Sequence, residues 1–283
     1  MSAPISVAQQ YLRDDLKPLL PKQNLFEWAL AVDGEVARQV AGRRTQRITL
    51  GGRCFYLKLH LGVGMVEILK NWLSLKPPVL GAANEYQACR HLEACGIAAP
   101  RVAAFVQSGG PAWSRRSFVL CDELARYQDL ETISLGFAQQ PPSGLELRRL
   151  VMQVAEFARR FHDAGVVHRD FYICHLLRNR DNPDQPLAVL DLHRALLFEQ
   201  LPERWRLRDL AALLFSVLDL PLELPLNQRA WLRFVRVYTG RPLKATFAEQ
   251  PAFWRSVQRR ALKLQAKARR KGLQPGAIGN GSP

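Results

Sequence analysis

The run His168-Arg169-Asp170 is the first part of the sequence whose residue types suit catalysis. It follows a helical pattern, a glycine and two β-branched residues, so the aspartate would be presented at the end of a turn. In a kinase catalytic loop, the aspartate of such a triplet accepts the proton of the attacking hydroxyl. A helix-to-strand turn with a capping aspartate fits the same residues, so the triplet alone does not decide between the two.

Asp191 favours the catalytic interpretation. It lies 21 residues after Asp170, at the end of the apolar stretch 187–190, which is predicted to be a strand. A carboxylate at a strand end is the kind of group that binds the Mg²⁺ ion bridging the phosphates of ATP. The pair therefore predicts a catalytic base and a metal ligand.

Lys58 and Glu85 lie upstream in the order that a kinase requires. Lys58 stands inside an apolar strand predicted over 53–60, and Glu85 is near the start of a helix that Asn84 is predicted to cap. A lysine in an apolar strand needs a partner for its charge, and Glu85 and ATP phosphates would supply one. By itself, an edge-strand lysine pointing to solvent would be the simpler interpretation, but the ordered series favours nucleotide binding.

Two departures from protein kinases concern the phosphate loop and the acceptor. The sequence has no G-x-G-x-x-G, and the corresponding hairpin tip is Gly42-Arg43-Arg44, where arginine charge would partly replace backbone contacts to phosphate. Only 17 residues separate Asp191 from Asp209, without an A-P-E motif. That span is too short for a peptide platform, which indicates an acceptor other than a protein.

The elements around these residues predict an α+β fold of the bilobal protein-kinase-like type, with a small β-rich N-lobe and a mainly helical C-lobe sharing a cleft. Five strands are expected in the N-lobe, over 35–40, 44–50, 53–60, 101–107 and 117–121, and a short hairpin is expected around 179–186. The expected organisation is an N-terminal extension (1–33), the N-lobe (34–124), the C-lobe (125–247), a basic amphipathic helix (248–273) and a disordered tail (274–283).

Composition adds a requirement for an anionic partner. The net charge is +15 and the pI is about 10.2, and such a field attracts nucleic acid, acidic membranes, phosphorylated substrates or acidic proteins alike. Five cysteines without a CxxC pair predict reduced core thiols. With no visible secretory signal and no clean apolar span of about 20 residues, a cytoplasmic location is expected.

At this point the sequence resembles a known family, the lipopolysaccharide core heptose kinases of Gram-negative bacteria, which phosphorylate the first heptose of the inner core. The similarity runs from about Gly34 to about Tyr238. It rests on five runs: Phe55-Tyr56-Leu57-Lys58, residues 69–76 with 78–81, His168 to His175, Leu190-Asp191-Leu192-His193-Arg194, and Arg204-Trp205-Arg206 with Asp209-Leu210.

The resemblance implies a role for each site residue. Asp170 would be the catalytic base, and Lys58 and Asp191 would bind ATP and Mg²⁺. His175 stands where protein kinases have a metal-binding asparagine, so it would contact the second metal or a phosphate. A neutral histidine is a poor ligand for a hard cation, and a hydrogen bond to phosphate or to the loop backbone is an equal alternative.

The acceptor implied by the resemblance is a lipid A-core glycolipid at the inner face of the inner membrane. Residues 251–272 carry eight Lys or Arg and no acid, with an apolar series at helical spacing. This pattern predicts a basic amphipathic helix for peripheral binding to an anionic membrane. A solvated basic tail, or docking to an acidic protein such as acyl carrier protein, are the alternatives; nucleic acid is not expected.

Three arginines near Asp191 are candidate acceptor ligands. Arg204, Arg206 and Arg208 would clamp phosphate or carboxylate groups through their guanidinium forks, unless they are ordinary surface charges. Asp209 is predicted to be structural, hydrogen-bonding the catalytic loop from the first turn of a helix.

Two broader alternatives stay open. The acceptor would be another core sugar (Kdo or the second heptose) or a protein hydroxyl, or the chain would be a kinase-like binding module without catalysis. The presence of Lys58, Asp170 and Asp191 together opposes the binding module, because nothing in binding needs all three.

Overall fold

Six antiparallel strands form the sheet of the first of two units. In a computed structural model, which describes residues 7–21, 24–40, 42–62, 81–109, 115–220 and 228–270, this unit holds the described residues up to Ala94, with Pro100–Ala125 and Leu192–Arg194. The sheet order is β1-β5-β6-β4-β3-β2. The strands are β1 (Val7–Leu12), β2 (Glu35–Val40), β3 (Arg43–Leu50), β4 (Arg53–His60), β5 (Val102–Ser108) and β6 (Ser117–Asp122).

The prediction of five strands was wrong by one, because it omitted β1. This strand pairs with β5, with Tyr11 opposite Phe105, although the sequence places it in the predicted N-terminal extension. Its centre is Gln9-Gln10, and two successive amides do not give the apolar alternation by which strands are recognised. The other five strands agree with prediction to within one residue at each end.

Two helices pack on this sheet and fill its core. Helix α1 (Leu25–Ala31) buries Leu25, Phe26 and Ala29 in a cluster with residues of β4 and β6. Helix α2 (Ala83–Ala94) begins one residue before Asn84, so Asn84 lies inside the helix and the predicted cap was wrong. The ring of Tyr86 stacks on Phe105 at 4.2 Å and 6°, which fixes α2 against β5.

The second unit is mainly helical. It holds Cys95–Ala99, Arg126–Asp191 and the described residues from Ala195 onward. Its helices are α3 (Leu130–Gly136), α4 (Gly144–Asp163), α5 (Glu203–Leu218), α6 (Gln228–Thr239), α7 (Leu243–Glu249) and α8 (Pro251–Arg270). Its short strands are β7 (Tyr127–Asp129), β8 (Val166–Val167), β9 (Leu176–Asn179), β10 (Ala188–Val189) and β11 (Leu196–Leu197).

Helix α4 leads to the residues 168–175, which we call the catalytic loop because the sequence predicts that role for them. It begins with a capping box, in which the Ser143 hydroxyl accepts from the Glu146 backbone and the Glu146 carboxylate accepts from that of Ser143. It ends before Gly165, whose φ of +75° allows the reversal into β8. The hairpin predicted around 179–186 is present, since β9 pairs antiparallel with β10 across these residues.

The apolar side of helix α8 faces its own unit. Ala261 and Ala268 are buried in a cluster with Phe215 of α5, and Leu264 packs against the same cluster. These residues belong to the apolar series of the helix that we predicted to bind an anionic membrane surface, and this side of the helix is occupied within the protein. The opposite side is exposed and basic, carrying Arg255, Arg259, Arg260, Lys263, Lys267, Arg269 and Arg270.

Two further predictions concern isolated residues and the chain end. Cys89 and Cys121 are buried, whereas Cys95 is exposed, so the expectation of core thiols holds only in part. The predicted disordered tail and the similarity run at 69–76 lie outside the described residues.

Candidate active site

Lys58 and Glu85 form an ion pair within the first unit. The Nζ atom of Lys58, on β4, lies 2.5 Å from Oε1 of Glu85, in the first turn of α2. The Glu85 side chain is 2% exposed and that of Lys58 is 17% exposed. Within the described parts of the chain, no group hydrogen-bonds the second carboxylate oxygen of Glu85. The pair therefore holds the lysine ammonium at a fixed place on the sheet, as a phosphate-binding lysine requires.

Gly42 stands at the tip of the β2-β3 hairpin with φ +72°. A Cβ here would lie 2.8 Å from the carbonyl oxygen of Gly62, and the Gly42 carbonyl accepts the amide of Leu61. The guanidinium of the neighbouring Arg44 is engaged within the first unit, because it donates to the carbonyl of Leu30 at the end of α1. Of the two arginines predicted to replace backbone contacts to phosphate, Arg44 is thus used to hold the hairpin against α1.

The catalytic loop of the second unit is held by Asp209. The two carboxylate oxygens of this buried residue accept the backbone N–H groups of His168 at 2.7 Å and Arg169 at 2.9 Å. Arg169 has φ +73°, a left-handed conformation that costs a non-glycine residue free energy. The carboxylate therefore stabilises the strained turn that presents Asp170. Asp209 lies in the second turn of α5, not in the first as predicted.

His175 is bonded to the same loop. Its Nδ1 lies 2.7 Å from the backbone carbonyl oxygen of Asp170, and a carbonyl only accepts, so Nδ1 carries the proton. Its ring stacks on His168 at 5.1 Å and 14°. Burial, reinforced by His175, lowers the pKa of His168, so His168 is neutral and donates through Nε2 to the carbonyl of Leu190.

Asp191 lies next to His175 in this unit. Its Oδ2 is 3.9 Å from Nε2 of His175, the ring nitrogen that has a free lone pair when the imidazole is neutral. Asp191 has φ +59°, and its side chain is 29% exposed. A hard carboxylate oxygen at an accessible position suits Mg²⁺, whereas the imidazole nitrogen suits it poorly. The donor set fits one strong metal ligand from the protein, and His175 would donate through Nε2 to a carboxylate or a phosphate only when its ring is protonated at both nitrogens.

Helix geometry separates the three arginines that we predicted to act together. Arg204 and Arg208 are exposed and lie one turn apart on one side of α5, and the guanidinium of Arg208 stacks over Trp205 at 4.6 Å. Arg206 projects to the opposite side and lines a polar cavity that Arg204 and Arg208 do not line. Residues two apart lie on opposite faces of a helix, so Arg206 does not share a face with Arg204 and Arg208, and the role of the three as acceptor ligands stays a prediction.

His162 and Tyr238 support the loop and were missed by sequence reasoning. Both are buried, and Nδ1 of His162 lies 2.8 Å from the Tyr238 hydroxyl. Nε2 of His162 is 3.6 Å from Oδ2 of Asp209. A Tyr238 hydroxyl that donates to Nδ1 leaves the Nε2–H directed at this carboxylate. The sequence clue is a histidine at an apolar position of α4, which indicates a polar partner in the core.

The described residues contain no group of three or more His, Cys, Asp or Glu side chains arranged as a metal centre. None of the helices within the described ranges is long and apolar enough to cross a membrane.

Comparison with known proteins identifies close relatives. The model of the lipopolysaccharide kinase (Kdo/WaaP) family matches residues 27–238. The lipopolysaccharide core heptose(I) kinase WaaP of Pseudomonas aeruginosa is 40% identical over 265 residues, which cover 92% of this chain and 97% of the relative. The protein of the same name from Escherichia coli K12 is 34% identical over 266 residues, covering 93% and 99%.

A solved structure is similar as well. It is described as WaaP in complex with acyl carrier protein, and it is 36% identical, with a TM-score of 0.76, over 90% of this chain and 99% of that chain. These matches confirm the predicted fold class, with a β-sheet N-terminal part and a helical C-terminal part, and the family resemblance drawn from the motifs.

Proposed function

Because the chain belongs to the lipopolysaccharide kinase (Kdo/WaaP) family, we propose that it transfers the γ-phosphate of ATP to the first heptose of the lipopolysaccharide core. The observation that carries this proposal is the loop in which Asp209 fixes His168 and Arg169 and thereby presents Asp170. Relatives at 40% and 34% identity over more than nine-tenths of the chain bear the name heptose(I) kinase, which supports the sugar hydroxyl as acceptor.

Asp170 is the proposed base. It accepts the proton of the sugar hydroxyl as that oxygen attacks the γ-phosphorus, and the bond from phosphorus to the β,γ-bridging oxygen breaks. The half-buried side chain remains accessible, while its backbone carbonyl accepts from Tyr172 N–H and His175 Nδ1–H. These two hydrogen bonds fix the backbone of Asp170 and thereby restrict where its carboxylate can lie, which is what general-base catalysis needs.

Lys58 and Asp191 are the proposed ATP and Mg²⁺ ligands. Lys58, held by Glu85, would contact the phosphates, and Asp191 would bind the ion, with His175 beside it. When bound, Mg²⁺ neutralises charge on the β- and γ-phosphates. Gly42, the proposed glycine of the phosphate hairpin, permits the tight turn between β2 and β3 and contributes no charge of its own.

The test uses purified protein, ATP, Mg²⁺ and core glycolipid that lacks inner-core phosphate. Mass spectrometry should find the glycolipid heavier by one phosphoryl group, and NMR should place the phosphate on the first heptose. Phosphate on Kdo or on the second heptose would identify that sugar as the acceptor instead. Transfer to protein alone would contradict the sugar-kinase proposal.

The Asp170→Asn variant tests the base. It should lower kcat by about 10²- to 10⁴-fold with ATP binding retained, because the general base is removed while the nucleotide ligands stay. The matched control is Asp184→Asn, which changes an exposed aspartate of the same unit. An Asp170→Asn enzyme as active as this control would refute the assignment and favour a binding module.

An acyl carrier protein is the proposed macromolecular partner, since a related WaaP was solved in complex with one. Two features of the second unit support it. The exposed basic side of α8 suits an acidic protein. An apolar cavity of about 150 Å³ suits an acyl group, and its walls include Leu130, Leu150, Val151, Ile173, Leu213 and Trp231.

Two variants separate this partner from an anionic membrane. The double variant Lys263→Glu/Lys267→Glu should weaken binding of purified acyl carrier protein, because it reverses two exposed charges of α8. Val151→Trp fills the apolar cavity and should weaken the acylated partner more than the unacylated one. If the charge reversal instead abolishes flotation with phosphatidylglycerol vesicles and leaves the protein partner bound, α8 serves the membrane surface.

A further inference from the structure

A polar cavity of about 340 Å³ lies in the second unit. Residues of α4, α5, α6, α7 and α8 line it, and the site described above shares only Arg206 and Tyr238 with its walls. Its polar walls include Arg159, Arg206 and Arg241, with the hydroxyl-bearing residues Thr239 and Thr246. A cavity bordered by three guanidinium groups is a candidate for an oxyanion.

Three N–H donors of the lining residues have no acceptor. Among the described residues, nothing hydrogen-bonds Nε of Arg159, Nε of Arg206 or Nε1 of Trp254, although all three atoms are buried. Trp254 is 2% exposed, so its indole is almost fully covered by protein. A buried donor without an acceptor costs about 1–3 kcal/mol, and three of them around one cavity indicate a missing acceptor.

The acids of the cavity do not satisfy these donors. Asp163 and Glu203 lie at its exposed edge, and neither accepts from the three buried N–H groups. The third acid nearby, Glu249, is engaged with Arg241 through two hydrogen bonds, at 2.5 and 2.8 Å. The buried part of the cavity therefore presents hydrogen-bond donors, and its negative charge stays at the rim.

We propose that this cavity binds a phosphate-type anion. A phosphate has several acceptor oxygens, so one ion can serve all three donors, and it brings the negative charge that water lacks. The guanidinium groups add charge, and an arginine fork matches the geometry of phosphate oxygens. The anion is either a phosphate group of the acceptor glycolipid or free phosphate, which are chemically alike at this site.

The cavity is connected to the catalytic loop. Tyr238 forms part of its wall, and its hydroxyl contacts Nδ1 of His162 at 2.8 Å. His162 in turn faces the Asp209 carboxylate that holds the loop. Arg206 and Asp209 also lie one turn apart on α5. An anion in this cavity is thus two side chains from the residue that positions the catalytic loop, and its role as an acceptor subsite rests on the proposed function.

The experiment is a titration with inorganic phosphate, followed by ³¹P NMR, on the full chain saturated with a non-hydrolysable ATP analogue. Arg159→Gln should weaken phosphate binding about 10- to 100-fold, because it removes a charged hydrogen bond. Trp254→Phe, which keeps the ring and removes one N–H, should weaken binding several-fold. The charge-matched control is Arg236→Gln, an exposed arginine of α6 that does not line the cavity, and it should bind like wild type.

A second arm identifies the source of the anion. The KM for glycolipid acceptors with and without lipid A phosphates is measured for wild type and Arg159→Gln. A KM that rises only for the phosphorylated acceptor assigns the site to the acceptor, and an unchanged KM with weakened phosphate binding assigns it to free phosphate.

Two results would overturn the proposal: no phosphate binding by the wild type, or equal binding by wild type and Arg159→Gln. Either result would show that water, and not a bound anion, fills the cavity. Failure of the proposed function is separately visible, since a wild type that binds phosphate without transferring it to any acceptor would retain this site and lose the kinase assignment.

Discussion

Replacing Asp209 by alanine should both destabilise the protein and slow catalysis. The carboxylate is fully buried and accepts two backbone N–H groups, at 2.7 and 2.9 Å. Each hydrogen bond to a charged group contributes about 1.5–3 kcal/mol, so the loss amounts to about 3–6 kcal/mol. For a chain of this size, each kcal/mol lowers the unfolding temperature by about 2–4 °C, and we expect a decrease on the order of 10 °C.

The effect on catalysis follows from the strain at Arg169. Its φ of +73° costs about 1–3 kcal/mol and is maintained by the Asp209 carboxylate. Without that restraint the loop relaxes and the active arrangement becomes a minor state. We therefore expect kcat to fall about 10- to 100-fold, because about 1.4 kcal/mol corresponds to a tenfold change in rate. Asp209→Asn, which retains one acceptor oxygen, should lie between wild type and alanine.

The assay combines urea unfolding with steady-state kinetics under saturating ATP. The control is Asp184→Ala, an exposed carboxylate of the same unit, which should stay within about 0.5 kcal/mol of wild type. If Asp209→Ala unfolds at the urea concentration of this control and keeps its kcat within twofold, the loop does not depend on Asp209 and the reasoning fails.

Two further predictions concern backbone geometry and pH. Gly165→Ala should lower the free energy of unfolding by about 3 kcal/mol or more, since φ is +75° and a Cβ would lie 1.9 Å from the Phe198 carbonyl oxygen. Gly96→Ala, at φ +65° with nothing within 4 Å, should cost only about 1–2 kcal/mol in thermal unfolding; equal losses would contradict the steric argument. Burial, with the charge of Arg43 and then Lys58, lowers the pKa of His60 to about 3, so its contribution to stability is present above about pH 6.5 and is lost as pH falls toward 3. His60→Asn should reduce the slope of unfolding free energy against pH in this range by up to about 1.4 kcal/mol per unit, and an unchanged slope would show that His60 does not titrate as described.

The sequence predicted the strands and helices that carry the candidate site because these depend on local patterns. The strand around Lys58 and the helix that ends before Gly165 follow from apolar periodicity and glycine stops, which act over a few residues. Asp170 and Asp191 were predicted to be a base and a metal ligand because both side chains are carboxylates. The ion pair of Lys58 with Glu85 was also predicted, since a lysine in an apolar strand requires a partner.

Tertiary contacts decided what local patterns leave open. The sequence shows that α8 has an apolar side, but only the structure shows that Ala261 and Ala268 pack against α5 and are unavailable to a membrane. It likewise separates Arg206 from its two neighbours and places Trp254 beside it at one cavity. The type of an apolar or charged residue does not determine which other surface it will contact. Its partner is set by long-range packing, where residues far apart in sequence compete to bury the same area. For this reason the candidate site residues could be predicted from the sequence, whereas the cavity could not.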